Sequence, residues 1–567
     1  MLKFKTSHWL NKPNENNKID DFCEISQIKT VKNRFSAFWL LFESDEDCVI
    51  RLSGDLYFRQ KLNVPSYRLD IGGGYKAGVY PAGFMTDDDG VAKADILLEN
   101  DFVEINKGKI AAVWVELDIP DEASDGKVDI KLYRSFMFSA EEYIGGTSLD
   151  VAVIGYTLPD AKDFSFYLDL WQHSSNLARK HEVKRFGDRH FEILEEYVKT
   201  MAYLGQKAVT IVASEIPWAG QDCYTYERAE NLYEYSMIKV TKKANGRFAY
   251  DFSAVKRYIE ICRKHGIDKE ISVYGLVNVW NGKDGYNFSD PSDYPDHIRV
   301  RYYDEASGTY RFMTKAKEID GYIKAIQSFF VRTKLIDKVR IAADEPAKVE
   351  AFKKSLARIR KVAPRFKYKA ALLHTDFLKE FDFISDFVPF IVTLSQGYED
   401  VKRLAGSPDK RMLWYVCCGP VYPNTFIRSG LHETLFITAL TSYLNLEGFL
   451  RWNYTVFPDF PRQNIKIGPF PAGEGNFVYP ANDGRPLLTV RYKALRYGIE
   501  LFEMLQAVKN KATKDEREEL FSLIIKEKDV SKYYPPAGER LDKSKMMSED
   551  IVDYQRFYEK LYEIITR

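Results

Sequence analysis

The chain has 567 residues, which is too long for one ordinary domain and predicts about two to four domains. Hydrophobic residues make up 45% and charged residues 29% of the sequence, and this composition excludes an intrinsically disordered protein. The 82 Lys and Arg residues balance the 82 Asp and Glu residues, so the net charge gives no general attraction to nucleic acid or to an acidic membrane surface.

The N-terminal segment MLKFKTSHWLNKPNENNK has positive charges but lacks the apolar stretch of about 7–15 residues that a secretory signal contains. No later segment offers about 18 uncharged apolar residues, the length of a membrane-spanning helix. The six cysteines have neither zinc-site spacing nor a disulfide framework, which favours mostly buried thiols in a reducing compartment. We therefore expect a cytoplasmic protein without membrane insertion, with release by a nonclassical route left open.

Short β-branched and aromatic runs, separated by turn residues, fill the first part of the chain. Examples are FSAFWLLFE (35–43), IAAVWVELDI (110–119) and KVDIKLY (127–133). Regularly spaced short strands of this kind are typical of two packed sheets. The pattern predicts an N-terminal β-sandwich domain over residues 1–160.

Helical patterns and short, continuously apolar runs alternate from residue 161 onwards, which is the pattern of βα units. The candidate strands are 207–213, 236–242, 271–277, 338–345, 368–375, 387–395, 411–418 and 448–457. Intervening helices are predicted at 252–266, 317–333 and 347–362, where apolar residues recur with helical spacing. Eight such strands favour a TIM-like (β/α)8 barrel over 161–490, although an open doubly wound sheet shares much of this pattern.

The last part of the chain, residues 491–567, is helical and charged in pattern. We expect these helices to pack on the barrel. The predicted fold class is therefore a multidomain β and α/β protein, with a β-sandwich, a (β/α)8 barrel and C-terminal helices.

Two adjacent carboxylates end the fourth candidate strand, in KVRIAADEP (338–346). Functional groups of such barrels collect at the C-terminal ends of the strands. Pro346 is expected to hold Glu345 extended and to begin the next helix. Asp344 and Glu345 can then take different protonation states, as an acid catalyst and its electrostatic partner require. The alternative is that both carboxylates cap the following helix.

Aromatic and polar residues near the other strand ends are candidates for binding a sugar, whose C–H faces stack on rings and whose hydroxyls need hydrogen-bond partners. Taken singly, each is as consistent with a place in the core. The candidates are Asn278, Trp280, His374, Tyr398, Tyr415, Trp452 and Asn453.

The sequence lacks the motifs that other classes of enzyme require. His181-Glu182 and His432-Glu433 begin like the metalloprotease motif but have no second histidine at the required spacing, and no G-x-S-x-G sequence is present. With eight histidines and no ligand spacing among them, we expect no catalytic metal and no cofactor.

Several longer segments together resemble one enzyme family. They are FYLDLWQHSS (166–175), the Asp344-Glu345-Pro346 strand end, LWYVCCGPVYP (413–423), EGFLRWNYTVF (447–457), AGEGNFVYPANDG (472–484) and RYKALRYGIELFE (491–503). Through these segments the chain resembles glycoside hydrolase family 123, the β-N-acetylgalactosaminidases. One local departure is Gly473-Glu474-Gly475, where a Gly-Asp-Gly turn is expected.

The resemblance implies a retaining hydrolase in which the substrate's own 2-acetamido oxygen is the nucleophile, unlike the usual scheme with an enzyme carboxylate in that role. It implies that Glu345 is the general acid and base, and that Asp344 orients the acetamido group and stabilises the oxazolinium charge. Trp452 is the candidate aromatic wall of the acetamido pocket, and Tyr398 or Tyr415 the hydroxyl donor.

The implied partner is a GalNAc-containing oligosaccharide or glycosphingolipid glycan. Two alternatives stay open at this point. The first is a β-N-acetylglucosaminidase or hexosaminidase with the same mechanism, because only contacts to the sugar O4 separate the two epimers. The second is a noncatalytic carbohydrate-binding protein in which the sandwich recognises the glycan.

Overall fold

The computed structural model describes residues 2–52, 64–136, 139–217, 233–277, 298–468, 470–537 and 539–567. Its N-terminal part consists of β-strands. They are β1 (Leu2–His8), β2 (Gln27–Lys32), β3 (Arg34–Ser44), β4 (Cys48–Arg51), β5 (Ser66–Gly73), β6 (Ala77–Thr86), β7 (Ala92–Leu97), β8 (Phe102–Ile105), β9 (Ile110–Ile119), β10 (Gly126–Phe136) and β11 (Ser139–Thr157).

These strands form two sheets, with the orders β1-β3-β9-β6-β7 and β2-β11-β10-β5-β4-β8. We call them the N-terminal sheets. Phe38 and Leu40 of β3 pack with Ile130 of β10 in a core that both sheets share. Because successive strand residues point to opposite faces, Trp39 and Trp114 lie on the other face of the first sheet, and they join the main core of the molecule. The first sheet is therefore buried on both sides.

The rest of the chain adds further strands, most of them short. They are β12 (Tyr167–Leu170), β13 (Ala208–Val212), β14 (Ile216–Pro217), β15 (Tyr233–Glu234), β16 (Lys239–Lys242), β17 (Phe248–Asp251), β18 (Glu270–Tyr274), β19 (Arg301–Asp304), β20 (Thr309–Phe312), β21 (Val339–Asp344), β22 (Lys367–Leu372), β23 (Asp386–Pro389), β24 (Arg411–Tyr415), β25 (Gly448–Arg451), β26 (Tyr479–Pro480) and β27 (Pro486–Leu487).

Helices alternate with these strands and then end the chain. They are α1 (Ser174–Lys180), α2 (Asp188–Tyr203), α3 (Ser253–Lys264), α4 (Ala316–Arg332), α5 (Val349–Val362), α6 (Phe377–Glu380), α7 (Ile391–Gln396), α8 (Tyr398–Ala405), α9 (Leu431–Tyr443), α10 (Val490–Val508), α11 (Lys514–Ser522), α12 (Lys543–Met546) and α13 (Ile551–Ile565). No helix among the described residues combines the length and the apolar character that crossing a bilayer requires.

Eight parallel strands form a nearly closed barrel in the order β12-β25-β24-β23-β22-β21-β18-β13. The two end strands meet where the Lys207 N–H donates to the Leu168 carbonyl over 3.0 Å. Ala342, Ala371 and Leu413 point into the barrel, and the alternate residues point outward to the core beneath the helices. Strands buried on both faces explain why the sequence shows continuous apolar runs here.

The barrel differs from the sequence prediction at two of its strands. Residues 236–242 were expected in the barrel, but β16 belongs to a separate four-stranded sheet with β17, β19 and β20. The missing barrel strand is β12, from the segment 166–175. Residues 387–395 were expected as one strand, whereas β23 ends at Pro389 and α7 begins at Ile391. Short apolar runs do not by themselves separate a barrel strand from an outer strand or a buried helix.

Helix α10 joins the N-terminal sheets to the barrel. Its Arg491 donates two hydrogen bonds to Asp95 of β7, from Nε to Oδ1 over 2.6 Å and from Nη2 to Oδ2 over 2.9 Å. Both side chains are fully buried. Burial alone would raise the pKa of Asp95, but the guanidinium charge of Arg491 lowers it below the ordinary value. The pair is therefore ionised inside the protein.

We expect Asp95→Asn to lower the free energy of unfolding by about 3–5 kcal/mol, because it leaves the buried Arg491 charge without its partner. Chemical denaturation followed by tryptophan fluorescence measures the change. The matched control is Asp150→Asn, which removes an exposed 3.2 Å ion pair with Lys127 and should cost less than about 1 kcal/mol. Equal effects of the two substitutions would contradict the structural importance of the buried pair.

Candidate active site

Asp344 is the last residue of β21, and Glu345 follows it at the mouth of the barrel. Both side chains are half-buried. The Glu345 backbone has a φ of 47°, in the left-handed region, and its N–H donates to the Ala371 carbonyl over 3.0 Å. A non-glycine residue in this region costs about 1–3 kcal/mol, so the neighbouring strand β22 must hold it there. The expectation that Pro346 keeps Glu345 extended is wrong.

The structure gives the acidic pair no role as a cap of α5. This helix begins at Val349 rather than at Pro346, and its N-cap residue, Lys348, makes no side-chain capping bond. Glu345 lies three residues before that N-cap, and its carboxylate bonds to another strand of the barrel instead.

Tyr415, the last residue of β24, donates a hydrogen bond from its hydroxyl to Glu345 Oε1 over 2.5 Å. Burial raises the pKa of Glu345 above its ordinary value, the hydrogen bond from Tyr415 opposes this rise, and the negative charge of Glu474 adds to it. Burial and the negative charge of Glu345 in turn raise the pKa of Tyr415 far above its usual range. Glu345 is thus a carboxyl group fixed by a hydrogen bond, and its pKa is shifted in the direction that a general acid requires.

Asp344 influences the same phenol group. Its negative charge is among the causes that raise the pKa of Tyr415, and it acts in the same direction on Tyr274 of β18, although burial is the largest cause for both. The negative charges of both carboxylates therefore act on the Tyr415 hydroxyl at this end of the barrel.

Glu474 is a third carboxylate near the site, and it is fully buried. It accepts hydrogen bonds from the indole Nε1 of Trp452 and from Arg451 Nη2, the latter over 2.6 Å. Burial raises the pKa of Glu474, while the Arg451 charge and the Trp452 bond lower it. Trp452 belongs to the same interior cluster as Tyr415, so Glu474 fixes the orientation of an aromatic ring that lines the barrel.

The loop that contains Glu474 is held by Arg491 of α10. Arg491 Nη1 donates to the carbonyls of Gly473 over 2.9 Å and of Asn476 over 2.8 Å. Gly473 has a φ of 84°, and a Cβ atom there would lie 2.9 Å from Ile427 and 3.1 Å from Arg491 Nη1. Only glycine allows this close approach, which explains the first glycine of the Gly-Glu-Gly turn.

The remaining predicted binding residues are spread over different places. Asn453 follows Trp452 and is fully buried, and among the described residues neither of its side-chain polar atoms has a hydrogen-bond partner. His374 is exposed two residues beyond the end of β22, and its ring stacks against Phe377. Tyr398 is the first residue of α8, in the outer layer, where Lys402 Nζ lies 5.0 Å from its ring centroid.

Of the predicted site residues, the structure brings Asp344, Glu345 and Tyr415 together, and it places Trp452 in the same cluster. It does not bring Tyr398 to them, because residues 391–396 form a helix that leads the chain away from the barrel mouth. Asn278 and Trp280 lie outside the described residues.

Sequence reasoning missed three residues around Trp452, namely Arg451, Glu474 and His173. His173 follows β12, is fully buried and meets the Trp452 ring edge-on at 5.8 Å between centroids. Burial and the charge of Arg179 lower the pKa of His173 to about 3, so its imidazole is neutral. The Gly-Glu-Gly sequence was the one available signal for Glu474. The residues directly at the strand ends do not include it, because Glu474 lies 23 residues beyond the end of β25.

A half-buried carboxyl group with a raised pKa, beside a second carboxylate at the mouth of a parallel barrel, is typical of the glycoside hydrolases. The family model of the glycoside hydrolase 123 catalytic domain matches residues 171–508, which is more than half of the chain. The chain belongs to glycoside hydrolase family 123, and it is therefore a glycosidase by class.

A solved structure of a family 123 glycoside hydrolase from Clostridium perfringens, analysed for the details of glycolipid glycan hydrolysis, is similar to this chain. The TM-score is 0.74 at 16% sequence identity, and the match covers 100% of this chain and 97% of that chain. At this identity the likeness shows the fold. No curated protein sequence matches the chain.

Two further solved structures match more weakly. A GH5 xyloglucanase from Bacteroides ovatus has a TM-score of 0.28 at 8% identity, with 84% of this chain and 98% of that chain covered. A xylanase 10C from Cellvibrio japonicus has a TM-score of 0.32 at 9% identity, with 82% and 93% covered. Similarity at this level supports no functional inference.

We expect Glu474→Gln to move the alkaline limb of the pH–activity profile to lower pH. The negative charge of Glu474 raises the pKa of Glu345, so its removal lowers that pKa, and the protonated form of Glu345 is then lost at lower pH. Hydrolysis rates measured across a pH series test this expectation.

The matched control is Glu474→Asp, which keeps the charge and should leave the alkaline limb close to that of the unmodified enzyme. Because Gln leaves the buried Arg451 without a counter-charge, circular dichroism must first establish that both variants are folded. An alkaline limb that does not move in the folded Gln variant would contradict electrostatic coupling between Glu474 and Glu345.

Proposed function

We propose that the protein is a retaining β-N-acetylgalactosaminidase that uses the 2-acetamido group of its substrate as the nucleophile. The proposal rests on one observation above all. Glu345, one of two adjacent carboxylates at the end of β21, accepts a hydrogen bond from Tyr415, and burial raises its pKa. Family membership supports glycoside hydrolysis, and the acetamido mechanism is the part that the proposal adds.

In this mechanism Glu345 donates its proton to the glycosidic oxygen as the bond to the anomeric carbon breaks. The acetamido oxygen attacks the anomeric carbon at the same time and forms an oxazoline ring. Glu345, now a carboxylate, removes a proton from the water that opens this ring, and the product keeps the β configuration. The hydrogen bond from Tyr415 stabilises the carboxylate form that exists between the two steps.

Asp344 has the second role. Its carboxylate accepts a hydrogen bond from the acetamido N–H, which turns the acetamido oxygen towards the anomeric carbon and stabilises the positive charge of the oxazolinium. Adjacent residues can share the work because one must reach the leaving group and the other the neighbouring C2 substituent. The left-handed backbone at Glu345 supports this division, since it turns the chain sharply between the two side chains.

Trp452 is the proposed wall of the acetamido pocket, with its indole held by Glu474. Of the two tyrosines considered as hydroxyl donors, Tyr415 is favoured because it lies beside Glu345, whereas Tyr398 lies beside Lys402 in the outer layer. The single O–H of Tyr415 would donate to the acetamido oxygen before the attack and to the Glu345 carboxylate between the two steps. Asn453, buried beside Trp452 with unused hydrogen-bonding groups, is proposed to bind sugar hydroxyls or a bridging water. His374, Asn278 and Trp280 stay proposals from the sequence.

The proposed substrate is a terminal β-linked GalNAc of a glycosphingolipid-type oligosaccharide. The glycolipid glycan hydrolysis described for the Clostridium perfringens enzyme supports this substrate class. A β-N-acetylglucosaminidase with the same mechanism is the second candidate, because the groups proposed to contact the acetamido group do not read the configuration at O4. A noncatalytic binding protein is disfavoured, since sugar binding gains nothing from a carboxyl group whose pKa burial raises and that lies beside a second carboxylate.

Hydrolysis of three aryl glycosides tests the proposal directly. We expect cleavage of the 2-acetamido-2-deoxy-β-galactoside, little cleavage of its gluco epimer and none of the plain β-galactoside, which lacks the nucleophile. Proton NMR should show the β-anomer of the product first, because the mechanism retains configuration. Cleavage of the plain galactoside at a comparable rate, or first appearance of the α-anomer, would contradict the acetamido mechanism.

Substitution of each acid separates their roles. We expect Glu345→Gln and Asp344→Asn each to lower kcat by about 10²–10⁴ on a substrate with a poor leaving group. With a dinitrophenyl leaving group, which needs no protonation, the first bond-breaking step should recover in Glu345→Gln but not in Asp344→Asn. Pre-steady-state measurement of dinitrophenol release distinguishes the two.

The controls are Glu350→Gln in α5 and Asp337→Asn before β21, two exposed acids near the same strand that should leave kcat unchanged. Near-normal kcat in both active-site variants would show that the assignment of Asp344 and Glu345 is wrong. Equal recovery of both variants with the activated substrate would contradict their separate roles.

A further inference from the structure

Two adjacent cysteines follow the seventh barrel strand, two residues after Tyr415. The sulfur atoms of Cys417 and Cys418 lie 3.8 Å apart. Successive side chains of an extended strand point in opposite directions, so this proximity requires a change of backbone direction. The Cys417 N–H donates to the Gly419 carbonyl over 3.0 Å, and this tight turn brings both thiols to the same side.

Hydrogen bonds from two buried side chains hold this turn. Asn424 Nδ2 donates to the carbonyls of Cys417 over 3.0 Å and Pro420 over 2.7 Å. Arg451 Nη1 donates to the Val416 carbonyl over 3.0 Å. Because the backbone is fixed on both sides of the pair, the two thiols stay close to each other, which gives each a high effective concentration towards its neighbour.

The two thiols differ in exposure and in reactivity. Cys418 is exposed, while Cys417 is half-buried and packs against the interior cluster that contains Tyr415 and Trp452. A hydrogen bond from Cys417 lowers the pKa of Cys418 against the opposing effect of burial. The exposed thiol is therefore the one that ionises and attacks, and the inner thiol is placed to resolve the product.

We propose that Cys417 and Cys418 form a thiol–disulfide switch at the mouth of the active site, and that its closure by a low-molecular-weight disulfide lowers turnover. The oxidant is a small disulfide such as oxidised glutathione. The part of the proposal that concerns turnover rests on the proposed function, whereas formation of the bond does not.

The reaction takes place in two displacement steps. The Cys418 thiolate attacks one sulfur of the small disulfide, forms a mixed disulfide and releases one thiolate. The Cys417 thiol then loses its proton and attacks the Cys418 sulfur, which releases the second small thiolate. The protein loses two electrons and two protons, and the small disulfide gains them as two thiols.

The geometry places the two sulfur atoms close together and makes the resulting bond easy to reduce. The sulfur atoms must approach by roughly 1.8 Å to reach the disulfide length of about 2.05 Å. Adjacent Cα atoms are only about 3.8 Å apart, below the usual range of about 4.4–6.8 Å for a disulfide, so the bond is strained and readily reduced. A strained, exposed disulfide is typical of a reversible switch rather than of a structural cross-link.

Closure affects the proposed catalytic acid through Cys417. The negative charge of Glu345 is among the causes that raise the pKa of Cys417, so the carboxylate and the thiol are within electrostatic reach of each other. Movement of the Cys417 sulfur towards Cys418 withdraws it from the cluster that positions Tyr415, and Tyr415 holds Glu345. A displacement of this size beside a catalytic acid should lower kcat by about 10-fold or more.

The test begins with the reduced full-length protein and oxidised glutathione. After quenching with iodoacetamide and digestion with trypsin, the peptide 412–428 contains both cysteines. We expect this peptide to be unalkylated and lighter by two hydrogen atoms, and we expect kcat on the acetamido-galactoside to fall and then to return with dithiothreitol. The peptide mass needs no substrate, so a failure of the proposed function stays distinguishable from a failure of the switch.

Cys418→Ser removes the attacking thiol and should abolish both the disulfide and the loss of kcat, while the basal activity is retained. Cys23→Ser is the matched control, because Cys23 is also exposed but lies in the N-terminal part of the chain, and it should leave the response unchanged. A peptide that stays alkylated at both cysteines, or that accumulates as a glutathione adduct, would overturn the switch. A disulfide that forms without any change in kcat would overturn its effect on catalysis.

Discussion

The geometry of the candidate active site depends on the hydrogen bonds that the buried guanidinium of Arg491 donates. One side of it forms the ion pair with Asp95 of the N-terminal sheets, and its Nη1 atom bonds the carbonyls on both sides of Glu474. Glu474 then fixes the indole of Trp452 and the guanidinium of Arg451. These hydrogen bonds join a sheet, a helix, a loop and the barrel mouth. Each involves a buried charged group, so each bond is strong and the loss of a partner is costly.

The placement of neighbouring charges also distinguishes Glu474 from Glu345. Glu474 lies against Arg451, so its negative charge is balanced locally. Glu345 has no cation in contact among the described residues and bonds instead to a neutral phenol, so burial and the nearby negative charge favour its protonated form. Glutamate therefore has a structural role at position 474 and is proposed as the proton donor at position 345. Neighbouring groups, and not the carboxyl itself, decide between these states.

The sequence was sufficient to predict the parallel barrel and the acidic pair, because β21 is a clear apolar run that ends in Asp344 and Glu345 at the face where such barrels bind ligands. The sequence was insufficient where a contact between residues distant in the chain overrode a local conformational preference. The backbone of Glu345 departs from the usual preference before proline because Ala371 of the next strand binds its N–H. Tyr398 was misplaced because α7 is as apolar as a strand, and Glu474 was missed because its partners Trp452 and Arg451 are 22 and 23 residues away.

Strand β3 is buried on both faces, with Phe38 and Leu40 towards one sheet and Trp39 towards α10 and the barrel. This has a consequence for how such enzymes evolve and are engineered. Accessory domains that are exchanged between unrelated glycosidases fold alone and present a polar surface to their neighbours. The N-terminal sheets differ from such domains at the described contact face, since separation would expose Trp39 and Trp114 and leave Asp95 without Arg491. They are expected to be inherited together with the barrel, and transplantation to another catalytic domain would require redesign of the whole contact face.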